Sequence, residues 1–183
     1  MIRHRSREEL ELGLDDIADA PKDRGVLEAI VIRPAQNERR PVNSVELSPE
    51  EGVKGDHWAK GCWMSLPDGS PHPDVQICIM NARVIRLLAG DKANWPPAGD
   101  QLFIDLDLSR ANLSPGQRLS LGSTTLEITE VPHNGCQKFI ERYGRDATQF
   151  VNSRFGKENR FRGIYAKVVE AGTISVGDVV EKI

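Results

Sequence analysis

Residues 163–183 read G-I-Y-A-K-V-V-E-A-G-T-I-S-V-G-D-V-V-E-K-I, runs of β-branched and apolar residues broken by glycine turns. Such residues suit a pleated, half-buried surface, and the Gly-containing breaks suit tight turns, so the segment predicts two strands joined by a short connection. The same grammar recurs upstream. G-V-L-E-A-I-V-I-R (25–33) is a strand stopped by Pro34, and P-V-N-S-V-E-L (41–47) is another, stopped by Ser48-Pro49. Q-L-F-I-D-L-D-L (101–108) alternates apolar and polar residues as a strand with one buried face should. Q-R-L-S-L and T-T-L-E-I-T-E-V flank Gly122-Ser123, a glycine-first signal for a two-residue hairpin. Many short strands between Gly and Pro turns predict a mainly β domain, a barrel or sandwich that carries a few short helices.

Three stretches depart from that pattern. V-Q-I-C-I-M (75–80) is nearly continuous apolar sequence, expected of a strand buried on both faces. Asn81 then caps a helix over A-R-V-I-R-L-L-A (82–89), which Gly90 ends. Helices are also expected over 137–143 and about 146–155. The first 25 residues look like a helical extension: Ser6 and Glu9 have capping-box spacing, and Leu10, Leu14 and Ile17 recur at helical intervals. The expected division is therefore an extension, 1–25, and one β domain, 26–183. Residues 52–74 are rich in Gly and Pro and have little periodicity, which suits a binding loop. Trp58 and Trp63 either line a pocket there or pack the loop onto the body.

With 183 residues the chain can bury a sizeable core without staples. No apolar run approaches the ~20 residues of a membrane span. The three cysteines, Cys62, Cys78 and Cys136, are an odd number at wide spacing, against a disulfide framework and in favour of a reducing, cytoplasmic setting. Their spacing to the histidines matches no familiar zinc pattern. Net charge is −3, yet residues 137–167 hold eight Lys/Arg against three Asp/Glu. An acidic protein with one basic segment is a poor nucleic-acid binder and suits a small anionic ligand better. A solvated helix face would produce the same charge run.

Cys136 stands out among the cysteines. In V-P-H-N-G-C-Q-K-F-I-E-R-Y-G a turn delivers it to the start of a short helix that Gly144 closes. Unpaired N–H groups and the positive end of the helix dipole favour thiolate there, the form that attacks, carries sulfur or binds metal. Cys78, within an apolar strand, is expected to be buried and inert.

At G-V-K-G-D-H-W (52–58), G-C-Q-K-F (135–139) and F-R-G-I-Y-A-K-V-V-E-A-G-T-I-S-V-G-D-V-V (161–180), in that order, the chain resembles a MOSC domain, the C-terminal domain of molybdenum cofactor sulfurases that also occurs alone in bacteria. The resemblance runs from about Val26 to the C-terminus and implies a β-barrel with a few short helices. It implies binding of the molybdenum cofactor (molybdopterin), an anionic pterin bearing a phosphate and a dithiolene. Cys136 would be the catalytic residue and the metal ligand, as persulfide carrier or molybdenum ligand in cofactor sulfuration or in reduction of N-hydroxylated substrates. Gly55, Asp56, His57, Lys138, Arg160, Arg162 and Gly163 are the expected cofactor-binding residues, with Arg162 and Gly163 at the pocket edge. The chain is too short to hold a pyridoxal-phosphate desulfurase domain as well. Sulfur would therefore come from a desulfurase partner, or the cofactor would pass to a molybdoenzyme partner. The alternative is a non-catalytic carrier of the cofactor.

Overall fold

The computed structural model describes residues 2–183. Two short helices, α1 (Arg7–Glu11) and α2 (Leu14–Ala18), precede the first strand, β1 (Arg24–Ile32). There follow β2 (Arg40–Val42), β3 (Ser44–Ser48), β4 (Gly52–Val53), α3 (Trp58–Gly61), β5 (Ile77–Asn81) and α4 (Ala82–Ala89). A 3₁₀ turn at Pro96–Ala98 leads into β6 (Leu102–Asp105), then β7 (Arg118–Leu121) and β8 (Thr124–Ile128). Helices α5 (Gln137–Tyr143), α6 (Arg145–Asn152) and α7 (Arg154–Glu158) interrupt the strands, and β9 (Ile164–Glu170), β10 (Gly172–Ser175) and β11 (Val179–Lys182) complete the fold.

Seven strands close a barrel in the order β1-β11-β7-β8-β9-β5-β6, with β6 returning to β1. Closure removes the exposed strand edges that would otherwise recruit other chains. All neighbours are antiparallel except β5 and β6, which run parallel and are joined by the crossover through α4. Strand β2 pairs with the far end of β1, and β10, β3 and β4 make a separate small sheet. The segment expected to form one final turn and strand thus forms two strands in two sheets: β10 pairs with β3 and β11 closes the barrel.

Alternation along the strands sorts side chains between two cores. Ile30, Ile79 and Leu102 point into the barrel, among Leu27, Leu119, Leu126, Ile164 and Val180. Their sequence neighbours Val31, Met80 and Phe103 point outward, under a helical layer built from Val84, Ile85, Leu88, Trp95, Phe139, Tyr143 and Phe161. This is why V-Q-I-C-I-M shows no polar face. Asn81 caps α4 through its Oδ1, which accepts from the N–H groups of Arg83 (2.7 Å) and Val84 (3.2 Å).

The capping box at Ser6 and Glu9 is present, and Leu10 and Ile17 are buried in the outer core. Removing a fully buried leucine side chain typically costs about 2–5 kcal/mol, whereas exposed positions cost under ~0.5. Leu10→Ala should therefore lower the urea midpoint by a clear margin, and Leu12→Ala, at a position 85% exposed, should leave it unchanged. Equal midpoints for the two variants would show that the N-terminal helices contribute nothing to the folded body.

Candidate functional site

Strand β1 delivers Arg33 to its end, and the loop after β4 delivers Asp56 to meet it. Gly55 makes the turn just before this aspartate. The pair is a two-pronged fork, Nε to Oδ2 at 2.9 Å and Nη2 to Oδ1 at 3.0 Å, with the carboxylate fully buried. The same carboxylate accepts from the backbone N–H of Arg33 and of Trp58, while His57 Nδ1 lies 2.7 Å from the Arg33 carbonyl. The G-D-H-W motif is thus a clasp that fixes Arg33. Trp58 is buried in this clasp and Trp63 is exposed. Arg33 Nη1 reaches the Gly99 carbonyl at 3.2 Å and lies 3.7 Å from the sulfur of Cys78. Burial pushes the Cys78 thiol up to about 11 against the pull of that cation, which keeps it protonated and unreactive at neutral pH.

On the other side of residue 99, Asp100 is fully buried and takes both carboxylate contacts from Arg162 Nη1, at 3.0 and 2.8 Å. Burial pushes the Asp100 carboxyl up and Arg162 opposes it. Arg162 Nη2 donates to the Ala98 carbonyl at 3.0 Å, and its guanidinium lies over the Phe139 ring, 4.9 Å from the centroid. Gly163 follows with φ of +111°, and a β-carbon there would stand 2.3 Å from the Ile79 carbonyl oxygen and 3.3 Å from His133 Nδ1. Only glycine fits.

His133 is the remaining member. Its ring packs on Tyr165, centroids 4.4 Å apart, with Nδ1 3.7 Å from Asp100 Oδ1. That nitrogen and Arg162 Nε are buried without a hydrogen-bond partner. Burial and the cations of Arg162 and Arg33 hold the imidazole pKa well below its usual range, so it is neutral. Pairs of buried polar atoms left unpartnered mark positions that a ligand can satisfy.

Cys136 is the N-cap residue of α5 and is exposed. Its position is fixed by its neighbours: Asn152 of α6 accepts from the Gly135 N–H at 2.8 Å and donates to the Gly135 carbonyl at 2.9 Å. One turn on, Phe139 carries the Arg162 guanidinium, so α5 links the thiol to the buried ion pair.

The expected residues divide into groups. Arg160, Arg162 and Gly163 share with His133 and Arg110 the lining of a cleft of about 290 Å³, to which neither Asp56 nor Cys136 contributes. Arg160 turns through a left-handed φ of +51°, and its Nη1 donates to the carbonyls of Leu108 (3.3 Å) and Leu113 (2.5 Å), tying down that loop. Lys138 is exposed on α5. Asp56 and His57 join Arg162 only through the chain Asp56–Arg33–residues 98–100. Arg33, Asp100 and His133, which do not figure among the sequence candidates, connect the others. The available signals were weak: a charged residue ending an apolar strand (V-I-R-P), and an aspartate between P-P-A-G and an apolar strand. Arg142, the last-turn arginine of α5, donates to the Pro97 carbonyl at 2.7 Å and joins this network as well. Among the described residues no group of three His, Cys, Asp or Glu side chains is arranged to hold a metal ion.

Two measurements test this geometry. Removing one partner of a buried ion pair typically costs about 3–5 kcal/mol, because the other charge is stranded. Arg162→Met should show a loss of that order in urea denaturation, and Asp100→Asn added to it should recover part; independent, additive losses would break the assigned pairing. His133 supplies a pH signature. Its folded pKa lies below its unfolded value of ~6.5, so its contribution is complete above that pH and is lost as pH falls below it. The slope contributed is up to about 1.4 kcal/mol per pH unit. His133→Phe, which keeps the ring contact with Tyr165, should flatten the stability profile just below pH ~6.5 relative to wild type.

A family profile, the MOSC domain, matches residues 73–181, a span that includes Asp100, His133, Cys136, Arg162 and Gly163. A search of curated proteins returned no match. Among solved structures the chain is similar to the YuaD protein from Bacillus subtilis, with a TM-score of 0.64 and 17% identity over 87% of this chain and 95% of that one. It is similar also to YiiM from Escherichia coli (TM-score 0.55, 16% identity, 86% of this chain and 69% of that one). YiiM from Geobacillus stearothermophilus gives 0.54 at 14% identity, over 87% and 73%. At such identities these likenesses speak for the fold, a shared barrel with short helices. The profile covers more than half of the sequence, and the chain therefore belongs to the MOSC domain family, which is associated with the molybdenum cofactor.

Proposed function

We propose that this protein binds the molybdenum cofactor, with Cys136 as the residue that meets its metal or carries sulfur to it. The observation that carries this reading is the pair of buried, unpartnered polar atoms, His133 Nδ1 and Arg162 Nε, with the Arg162 guanidinium over Phe139, one helical turn after the exposed Cys136. A neutral imidazole and a guanidinium edge suit the polar rim of a pterin, and the arginines suit its anionic group. The chain has no cluster of metal ligands among its described residues, so a metal here would depend on the organic carrier for most of its ligands, with one soft donor from the protein.

When bound, the cofactor supplies a redox-active molybdenum centre held by a dithiolene. The chain's own residues position and select. Asp100 orients Arg162, and Phe139 packs against the guanidinium face. Asp56 holds Arg33, and His57 lies on the Arg33 carbonyl; Arg33 in turn ties down the Gly99 carbonyl next to Asp100. Arg160, which lines the same cleft as Arg162 and Gly163, and Lys138, exposed one turn or less from Cys136, add positive charge for an anionic group. Cys136, held by Asn152 through Gly135, presents its sulfur outward, where a sulfur donor or a metal can reach it without rearrangement of the core. In sulfuration the thiol would hold a persulfide received from a desulfurase; in reduction of N-hydroxylated substrates it would be a molybdenum ligand.

One observation favours a second reading, a carrier that performs no chemistry at the thiol and hands the cofactor to a molybdoenzyme: Cys136 does not line the cleft beside His133 and Arg162. Metal and pterin analysis of protein purified from a molybdenum-sufficient host separates these cases. Wild type should retain both. Cys136→Ser should lose molybdenum but keep pterin if the thiol is a ligand, and should keep both if the thiol carries sulfur or takes no part, two cases told apart by whether wild-type Cys136 accepts a persulfide from a desulfurase. A wild-type protein free of pterin under these conditions would sink the cofactor assignment.

A further inference from the structure

Two of the large apolar side chains that the fold leaves exposed lie beside one groove. Leu12 is 85% exposed in the connection between α1 and α2, and Phe155 is 54% exposed on α7. Between α1–α2 and α6–α7 runs a groove of about 450 Å³, with Leu14, Phe150 and Phe155 as its apolar lining and Arg7, Glu11 and Asp146 among its polar residues. A smaller hollow of about 200 Å³ shares Leu14 and Phe155 with it and continues toward Ile17 and Phe161. None of these residues lines the cleft of His133 and Arg162. Single exposed apolar side chains are ordinary, but a protruding leucine next to an open apolar groove that can hold one is a mark of association.

The two walls differ in charge. Residues 7–19 contain six Asp/Glu against one Arg, and residues 145–158 contain three Lys/Arg against two Asp/Glu. Part of this charge is satisfied locally. Glu9 pairs with Arg3 and Arg5, Arg7 with Glu11, Asp16 with Arg83 and Arg154 with Glu158, while the Asp146 carboxylate accepts from the Arg7 N–H at 3.2 Å. Glu8, Asp15 and Asp19 on the first wall, and Arg145 and Lys157 on the second, are exposed and have no ion-pair partner among the described residues. A knob, a hole and walls of opposite sign within a single patch are what a two-fold contact requires, because a two-fold axis presents a patch to itself. Turning a second copy about such an axis brings each Leu12 to the groove of the other and each acidic wall to the other's basic wall. A partner of uniform charge would be repelled by one of the two walls, so the mixed patch favours a second copy.

We propose that this face is the contact of a weak homodimer, in which Leu12 of each copy enters the groove beside Phe155 of the other. The contact lies on α6, whose Asn152 holds the Gly135 peptide, so pairing would brace the helix that supports Cys136 while sharing no residue with the cleft of His133 and Arg162. It does not rest on the cofactor reading.

Sedimentation velocity of the whole protein over a wide concentration range tests the contact. Wild type should pass from monomer to dimer as concentration rises, and added chloride should weaken the dimer. Leu12→Ala removes the knob twice per dimer. At roughly tenfold for each buried leucine it should weaken dimerisation about a hundredfold, while its urea midpoint in dilute, monomeric solution stays that of wild type. Reversing the acidic wall (Glu8→Lys with Asp15→Lys), or the basic wall (Arg145→Glu with Arg154→Glu), should weaken self-association in each case. An equimolar mixture of these two variants should recover it, since each copy then meets walls of opposite sign. Lys157, which also lines the cleft, is left in place. A wild type that stays monomeric throughout would overturn the proposal and leave the groove to a different chain. A dimer indifferent to Leu12→Ala, or a mixture of the wall variants that remains monomeric, would overturn it as well.

Discussion

Three consecutive peptide carbonyls, those of Pro97, Ala98 and Gly99, each accept from a different arginine: Arg142, Arg162 and Arg33. The carbonyls at the end of a 3₁₀ turn have no partner within the turn, and here arginine side chains supply the donors. Arginine is suited to this task because its planar head carries several donors and can satisfy a carbonyl with one nitrogen while pairing a carboxylate with another. Arg33 and Arg162 do so with Asp56 and Asp100. Tyr143 adds a fourth tie, its hydroxyl donating to the carbonyls of Asn94 and Trp95. The end of β1, the last turn of α5 and the start of β9 are all anchored to one short segment, which joins the two buried ion pairs of the candidate site.

How much of this was legible in the sequence follows the range of the interactions. Local features were plain: the Asn81 cap and its helix, the Gly122-Ser123 hairpin that joins β7 to β8, and the turn that brings Cys136 to a helix start. Each rests on residues within a few positions of one another. The continuous apolar run at 75–80 announced burial on both faces, and the two cores on either side of β5 explain it. What sequence could not supply is the pairing of distant charges. Arg33 meets Asp56 23 residues on, and Asp100 meets Arg162 across 62. Nothing in the pattern of either residue names its partner. Arg162 was recognisable as important from its place before Gly163, but three of its contacts are to the protein itself, and only Nε is left for a ligand.

The cysteines show how strongly surroundings override identity. Cys78 and Cys136 belong to the same chain but sit in opposite surroundings, one buried and one exposed. Cys78 sits within reach of Arg33, yet desolvation outweighs the cation and keeps its proton in place. Cys136 lies at the surface, on a backbone held by an amide clasp from the next helix, where solvent and incoming molecules reach the sulfur. A basic neighbour alone is a poor guide to reactivity; exposure decides first.

Closure of the barrel by β1 and β11 pairs Arg24 with Glu181, residues near opposite ends of the chain. Until β11 is in place, β1 and β7 each present an unpaired row of backbone groups, and no nearer segment in the fold covers them. Contacts of such long sequence separation come late and slow the search for the native state. During synthesis the chain must therefore hold an open sheet, with strands that are liable to join those of other chains, until its final strand emerges from the ribosome. Trimming only the last few residues would prolong that vulnerable state indefinitely, although the region around Cys136 would be untouched.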